Sequence, residues 1–261
     1  SAGSRCRPTS LRGVRPFLFL GTRAEDDAAD GEYDALRRCA GLDESGLRRV
    51  RLERAPLEEQ LGGPVDPADW SGIVLGGSPF NLSDPAEAKT ATQHRVEAEL
   101  RALALRVIGA DSPFLGACYG IGTLGSLRGG LVDRTHGEPV GAVDVRLSEA
   151  GVADPLFGVL PARFDAFVGH KEAVSRLPEG AVLLAGSATC PVQAFRLGRH
   201  VYATQFHPEL DVDGLVHRLT IYRDHGYTAP GGLDDALAAA RAATVSEPPR
   251  LLARFVELFA R

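Results

Sequence analysis

The sequence predicts an α/β fold in which a mixed, mostly parallel sheet carries helices on both faces. Three observations predict it. Short apolar runs that suit buried strands alternate with longer amphipathic stretches that suit helices. Two of those runs end in glycine turns, Gly76-Gly77 and Gly116-Ala117-Cys118-Tyr119-Gly120, as strands do where the chain turns into a loop or helix. The later strands follow one another without helices between them, which suits antiparallel pairs. Sheets of this kind place ligands at the carboxyl ends of their parallel strands.

After a loose basic start, Ser1 to Arg12, the run Pro16 to Gly21 reads as the first strand. The acidic stretch Glu25 to Asp30 reads as a solvated loop or a helix start, and Tyr33 to Gly41 as a helix. Arg48 to Arg54 alternates as a second strand does, and Gly72 to Leu75 is a buried third. A helix from Ala88 to Leu105 leads to the strand Phe114 to Ala117. The stretch from Tyr119, with Ile121, Leu124 and Leu127 closed by Gly129-Gly130, then reads as a helix. Beyond it, Val140–Leu147, Arg163–Val168, Ala181–Ala185, Gln193–Leu197 and Val201–Gln205 read as strands.

From about Tyr227 the character changes, which divides the chain into a main domain, 1–228, and a helical extension, 229–261. Leu233 to Ala243 is alanine-rich and favours a helix, Pro248-Pro249 interrupts it, and Leu251, Leu252, Phe255, Val256 and Phe259 form one face of a last amphipathic helix. That face packs back on the main domain or meets a partner.

Composition bounds the function. With 261 residues, 44% of them hydrophobic and 24% charged, the chain is long enough for one α/β domain with a substantial core plus an appendage. A net charge of −5 and the lack of a basic run argue against nucleic-acid and membrane-surface partners. The four cysteines, Cys6, Cys39, Cys118 and Cys190, are widely spaced and show neither a disulfide framework nor a metal-ligand pattern, so a reducing, cytoplasmic setting and no metal are expected. Neither a signal peptide nor a bilayer-length apolar stretch is read.

Cys118 sits on the turn between a predicted strand and a predicted helix. The flanking glycines are needed because a backbone that reverses within a residue or two leaves no room for Cβ atoms beside the side chain. The thiol then stands at the carboxyl edge of a sheet over a helix N-terminus, whose unpaired N–H groups favour thiolate. By itself the pattern also fits a small buried cysteine. Further along, Pro208 biases His207 toward an extended conformation, and side chains two apart in an extended segment share a side, so His207 and Glu209 can act together. A carboxylate beside an imidazole fixes its tautomer, and the imidazole can take a thiol proton and return it to a leaving amine. Gly76-Gly77 after the third strand reads as a tight turn or as a backbone that approaches a ligand closely.

Taken together, strand-Gly76-Gly77-x-Pro79, Pro113-x-Leu115-Gly116-x-Cys118-x-Gly120, the stretch Val168 to Gly180 and Gln205-Phe-His-Pro-Glu209 resemble the class I glutamine amidotransferase family, over about Val14 to Gly226. The resemblance implies a flavodoxin-like sheet of the kind described and hydrolysis of a γ-glutamyl amide that releases ammonia. It further implies Cys118 as nucleophile, His207 as general base and acid, Glu209 as its orienting carboxylate, and the N–H groups of Gly77 and Tyr119 as oxyanion donors. Gly76, Gly122, Gly169, His170, Lys171 and Glu172 would border the substrate, and no cofactor is implied. One position departs from the family's G-x-C-x-G-x-Q pattern: Gly122 stands where the pattern has glutamine. Glycine inside a helix costs about 1 kcal/mol against alanine, so either something approaches its backbone closely or the helix begins irregularly. The missing side chain leaves space that a larger γ-glutamyl amide could occupy, although the rest of the motif set fits free glutamine.

No nucleotide-binding fingerprint occurs in the chain, so a synthetase half is not expected in it. A separate synthetase subunit or a second copy of the chain is the partner expected. The competing readings are a freestanding hydrolase of a γ-glutamyl amide other than glutamine, an α/β-hydrolase with a cysteine nucleophile, and a binding module that kept the fold. The α/β-hydrolase order places the acid before the histidine, whereas Glu209 follows His207.

Overall fold

A computed structural model describes residues 13–221 and 232–261. Phe17–Gly21 (β1) is buried on both sides: Phe17 and Phe19 join one core cluster and Leu18 and Leu20 the other. The two-residue period of a strand and a cover on each face produce that split. Asp26–Ala40 (α1) follows as one helix, with Asp26 and Asp27 in its first turn and Arg37 and Arg38 in its last. The acidic stretch is thus a helix start, stabilised by the helix dipole. Leu47–Arg51 (β2) is shorter than the sequence suggests, because Arg54 N–H closes a turn on Arg51 O at 3.1 Å.

The chain continues through Leu57–Leu61 (α2), Ile73–Leu75 (β3) and Ala91–Ala110 (α3). Helix α3 starts later than predicted because Thr90 caps it through Gln93 N–H, and it runs on to Asp111, which adopts the left-handed conformation. Phe114–Ala117 (β4) and Tyr119–Gly125 (α4) come next. Then follow Leu131–Asp133 (β5), Glu138–Leu147 (β6), Glu149–Ala153 (α5), Arg163–His170 (β7), Ala173–Arg176 (β8), Val182–Ser187 (β9), Ala194–Leu197 (β10) and Val201–Thr204 (β11). Val212–Ile221 (α6), Leu233–Ala242 (α7) and Pro249–Phe259 (α8) complete the described chain. The sequence pattern does not reveal β5, β8 and α6.

The main sheet has the order β2-β1-β3-β4-β11-β10-β9-β6-β7. Its first five strands are parallel and its last four join by antiparallel pairs. The order reverses beside β1, which opens a crevice at the strands' carboxyl ends. Helices α3 and α4 cover one face of the parallel half, while α1 and α8 cover the other. Leu251, Leu252 and Phe255 of α8 are buried in the same cluster as Phe17, and the Phe17 and Phe255 rings lie 5.9 Å apart. The apolar face of the last helix therefore packs on the sheet. Residues of α6 and α7 share a smaller cluster with Phe167 of β7. The expected boundary near residue 228 lies outside the described residues. Among those described, no helix is long and apolar enough to cross a membrane.

Candidate active site

Cys118 occupies the turn from β4 to α4 with φ 53° and ψ −90°, a conformation that costs a non-glycine residue roughly 1–3 kcal/mol. Its neighbours make the turn feasible. A Cβ on Gly116 would stand 2.8 Å from the Gly120 carbonyl carbon, and one on Gly120 would stand 3.2 Å from Leu75 O. Cys118 N–H donates to Thr204 O at 2.8 Å, which ties the elbow to the end of β11. The other described cysteines are unlike it. Burial pushes the thiols of Cys39 and Cys190 up to about 12, so near neutral pH both stay protonated.

Just past β11 the chain reaches His207, whose N–H donates to Phe167 O at 3.0 Å. Both His207 and Glu209 are buried, and Nδ1 of the ring donates to Glu209 Oε1 at 2.8 Å. That bond fixes the tautomer and leaves Nε2 for the thiol side. Burial, the strongest influence on His207, disfavours its cation, but the charge of Glu209, and then the charge and hydrogen bond of Cys118, outweigh it and push the imidazole up to about 9. Glu209 is held below the carboxylate range, since the attraction of His207 and Arg218 exceeds the penalty of its burial.

Residues without a local sequence signal surround this pair. Arg218 of α6 places Nη2 3.2 Å from Glu209 Oε1 and 3.7 Å from Glu32 Oε1. Glu32 of α1 faces Arg23 Nε at 3.2 Å. Among the described residues Glu32, His207 and Glu209 lie close enough to share a metal ion, as do Glu138, His170 and Cys190. In the first group guanidinium groups already occupy the carboxylates. In the second, hydrogen bonds from His170, Gln193, Thr189 and Ser187 occupy Glu138.

Beside Cys118 opens a cavity of about 390 Å³. Ser78, Pro79, Phe80 and Asn81 line it after β3, Gly169, His170, Lys171 and Glu172 line it at the end of β7, and Glu25, Tyr119, Glu138, Pro139, Val140 and Gln205 line the remainder. The His170 ring is tied at both nitrogens, Nδ1 to Glu172 O and Nε2 to Glu138 Oε2, each at 2.8 Å. Glu172 accepts the N–H groups of Leu82 at 2.8 Å and Ser83 at 2.7 Å, clamping the loop after β3 onto the end of β7. Gln205 is buried with its Oε1 unbonded among the described residues, an acceptor at the cavity wall.

Three expected substrate-side roles change. Gly77 N–H donates to Glu32 Oε1 at 3.2 Å and so is engaged away from Cys118; neither Gly77 nor Gly76 lines the cavity. Bulk is still excluded at Gly77, where a Cβ would stand 2.8 Å from His207 Cε1 and 3.7 Å from Cys118 Cβ. Gly76 packs on Phe19 and Glu32, which a Cβ would approach to 3.0 and 3.1 Å. Gly122 vacates no space for substrate. Leu82 Cδ1 lies 3.0 Å and Glu172 Oε1 3.7 Å from where its Cβ would be, so the loop after β3 fills that volume.

The profile of the glutamine amidotransferase class-I family matches residues 44–229. One subunit of the glutamine-hydrolysing GMP synthase of Methanoculleus marisnigri is 34% identical over 165 residues, 63% of this chain and 79% of that protein. A glutamine-hydrolysing GMP synthase of Mannheimia succiniciproducens is 32% identical over 146 residues, 54% of this chain but 25% of its own length. A glutamine amidotransferase of Thermotoga maritima superimposes with a TM-score of 0.67 at 19% identity, over 94% of this chain and 98% of its own. One from Methylobacillus flagellatus does so with 0.68 at 19% identity, over 95% and 97%. At such identities the structural likeness speaks for the fold.

Proposed function

Because the chain belongs to the class I glutamine amidotransferase family, we propose that it hydrolyses the side-chain amide of glutamine through Cys118, His207 and Glu209. The observation that carries this reading is the Nδ1–Oε1 bond of 2.8 Å between His207 and Glu209 beside a strained cysteine at the mouth of a 390 Å³ cavity. In the proposed reaction the Cys118 thiol gives its proton to His207 Nε2, and Sγ attacks the amide carbon. The oxygen gains charge as the tetrahedral intermediate forms. Tyr119 N–H, at the first position of α4 where no intrahelical acceptor exists, is the donor available to that oxyanion. Gly77 N–H joins it only after leaving Glu32.

Collapse of the intermediate breaks the C–N bond, and His207 gives its proton to the nitrogen, which leaves as ammonia. Water, deprotonated by His207, then cleaves the γ-glutamyl thioester to glutamate and restores the thiol. The amino-acid end of the substrate lies among the main-chain groups of Gly169, Lys171 and Glu172, which line the same cavity. Ammonia is handed to a separate synthetase polypeptide. Two likenesses support this reading: the match to one subunit of a GMP synthase, and the coverage of about a quarter of the longer relative. Leu82, packed against Gly122, speaks against a bulkier γ-glutamyl substrate.

The test is ammonia release from glutamine, measured with and without a glutamine-like diazo-ketone. One covalent label on Cys118 and loss of on the order of 10⁴-fold in kcat in Cys118→Ser are expected. A label on Cys39 or Cys190, or full activity in the serine variant, refutes the assignment.

A further inference from the structure

Arg218 stands outside the proposed triad yet touches two of its members. Its Nη2 lies 3.2 Å from Glu209 Oε1 and its Nη1 3.2 Å from His207 Nδ1. A guanidinium only donates, and Nδ1 already gives its proton to Glu209. The approach to His207 is therefore a positive charge set beside the ring, whereas the approach to Glu209 is an attractive, hydrogen-bonded one. Glu209 needs such a holder. Both of its side-chain contacts, to His207 and to Arg218, fall on Oε1, while Oε2 is buried with no hydrogen-bond partner among the described residues.

The chain of charges continues into the other half of the site. Glu32 Oε1, 3.7 Å from Arg218 Nη2, accepts the Gly77 N–H at 3.2 Å, and Thr22 Oγ1 donates to Gly77 O at 2.9 Å. Arg23 lies on the far side of Glu32. The side chains of Arg23, Glu32 and Glu209 are 2%, 1% and 2% exposed, and that of Arg218 is 11% exposed. Two carboxylates and two guanidiniums thus offset one another around His207, so one change among them alters the field on the ring. Among the described residues, the charged and titratable groups facing His207 are Glu209 on its own loop, Cys118 on the elbow, Arg218 on α6, Glu32 on α1, and Arg23 across Gly77.

We propose that Arg218 is a positioning residue for amide hydrolysis. It fixes the Glu209 carboxylate on His207 and, through Glu32, locks that pair to the Gly76–Gly77 turn, so that the base and the turn facing the thiol are held as one unit. The inference rests on the amide-hydrolysis reading, and the geometry it invokes is measurable without substrate.

The experiment compares the full chain with its Arg218→Met, Arg218→Lys and Glu32→Gln variants. The readouts are glutamine kinetics, the urea midpoint, and the ring resonances of ¹⁵N-labelled His207. In Arg218→Met, kcat is expected to fall on the order of 100-fold with KM unchanged, the loss typical of a displaced catalytic group. The Nδ1 proton resonance should move upfield as its bond to Glu209 loosens. Lysine keeps the charge but lacks the planar guanidinium that sets Nη2 on the carboxylates and Nη1 beside the ring, so Arg218→Lys should be intermediate. Adding Glu32→Gln to Arg218→Met should cost little more than Arg218→Met alone, as for residues acting as a unit.

A purely structural role would lower the urea midpoint and leave kcat per folded molecule and the ring resonance unmoved, and that result overturns the proposal. Should Arg218→Met fail to fold, unchanged kcat and resonance in both Arg218→Lys and Glu32→Gln overturn it equally. A wild-type chain that releases no ammonia from glutamine sinks the proposed function instead, and the His207 resonance still decides the role of Arg218.

Discussion

Restoring glutamine at position 122 tests the most consequential departure of this chain from its family. The missing side chain has been replaced in space: Leu82 Cδ1 lies 3.0 Å from the position of a Cβ on Gly122, and Glu172 Oε1 lies 3.7 Å from it. Gly122→Ala is therefore mild. A methyl 3.0 Å from the end of a flexible leucine displaces it by a few tenths of an ångström, and alanine recovers about 1 kcal/mol of helix propensity in α4. Gly122→Gln is different, because further atoms must enter volume held by Leu82, whose N–H is clamped on Glu172 together with that of Ser83. Overpacking of this kind costs about 1–3 kcal/mol. The loop that gives way also carries Ser78, Pro79, Phe80 and Asn81 on the cavity wall. If that cost falls on the substrate-competent loop, it becomes a rise of about 5- to 150-fold in KM, at a factor of ten for each 1.4 kcal/mol.

The assay is steady-state ammonia release from glutamine, read as kcat and KM separately, with urea unfolding as a control for global stability. Leu82→Ala in the Gly122→Gln background should recover most of the KM, and the double-mutant cycle should show favourable coupling between the two positions. An unchanged or lower KM in Gly122→Gln alone refutes the reasoning, since it would mean that Leu82 does not hold the vacated volume.

Two further outcomes follow from the site and the core. His207 holds its proton more tightly when folded than its ordinary value of 6.5. Its contribution to stability is therefore fully present below about pH 6.5 and is lost as pH rises through about 9. The urea midpoint should fall over that interval in the wild type, and an equally steep fall in His207→Ala would remove His207 as the cause. In the core, Phe255→Ala should destabilise the protein by about 3–5 kcal/mol, the usual cost of deleting a buried phenylalanine. The ring is 1% exposed and lies 5.9 Å from Phe17 and 4.9 Å from Phe259. A loss under about 1 kcal/mol in urea unfolding would show that α8 is dispensable to the sheet, against its packing there.

What was legible in the sequence was what local chemistry dictates. β1 alternates large residues toward two buried faces, and period-two patterning reports that. The glycines around Cys118 report an elbow, and that elbow is present. Pro208 suggests an extended His207–Glu209 pair, whereas the strand ends at Thr204 and the two side chains meet across a turn that Leu210 N–H closes on His207 O at 3.4 Å. What could not be read depends on distant segments meeting. Glu138 reaches His170 because the β6–β7 pairing sets those residues opposite each other, a register that neither strand encodes alone. Strands β5 and β8 have three and four residues, too few to show a period. Arg218 and Glu32 converge from α6 and α1, so no spacing links them to His207-Pro-Glu209. The filled volume at Gly122 was hidden for the same reason, since an irregular loop about forty residues upstream, at Leu82, occupies it.

Strain and placement at Cys118 have one origin. Its φ of 53° is tolerable because Gly116 and Gly120 approach so closely that a Cβ on either would meet backbone, and because Thr204 O takes the Cys118 N–H that the turn would otherwise orphan. The carbonyl belongs to β11, the strand that leads to His207, and β11 pairs with β4 in parallel register from Val201↔Phe114 to Thr204↔Ala117. Parallel pairing puts both carboxyl ends at the same edge, so the thiol and the imidazole emerge as neighbours from adjacent strands. The hydrogen bond that holds the strained turn therefore also sets its distance from the proposed base. A relaxed elbow would lower the energy of the fold and separate the groups, which is a physical reason for the strain to persist at this position.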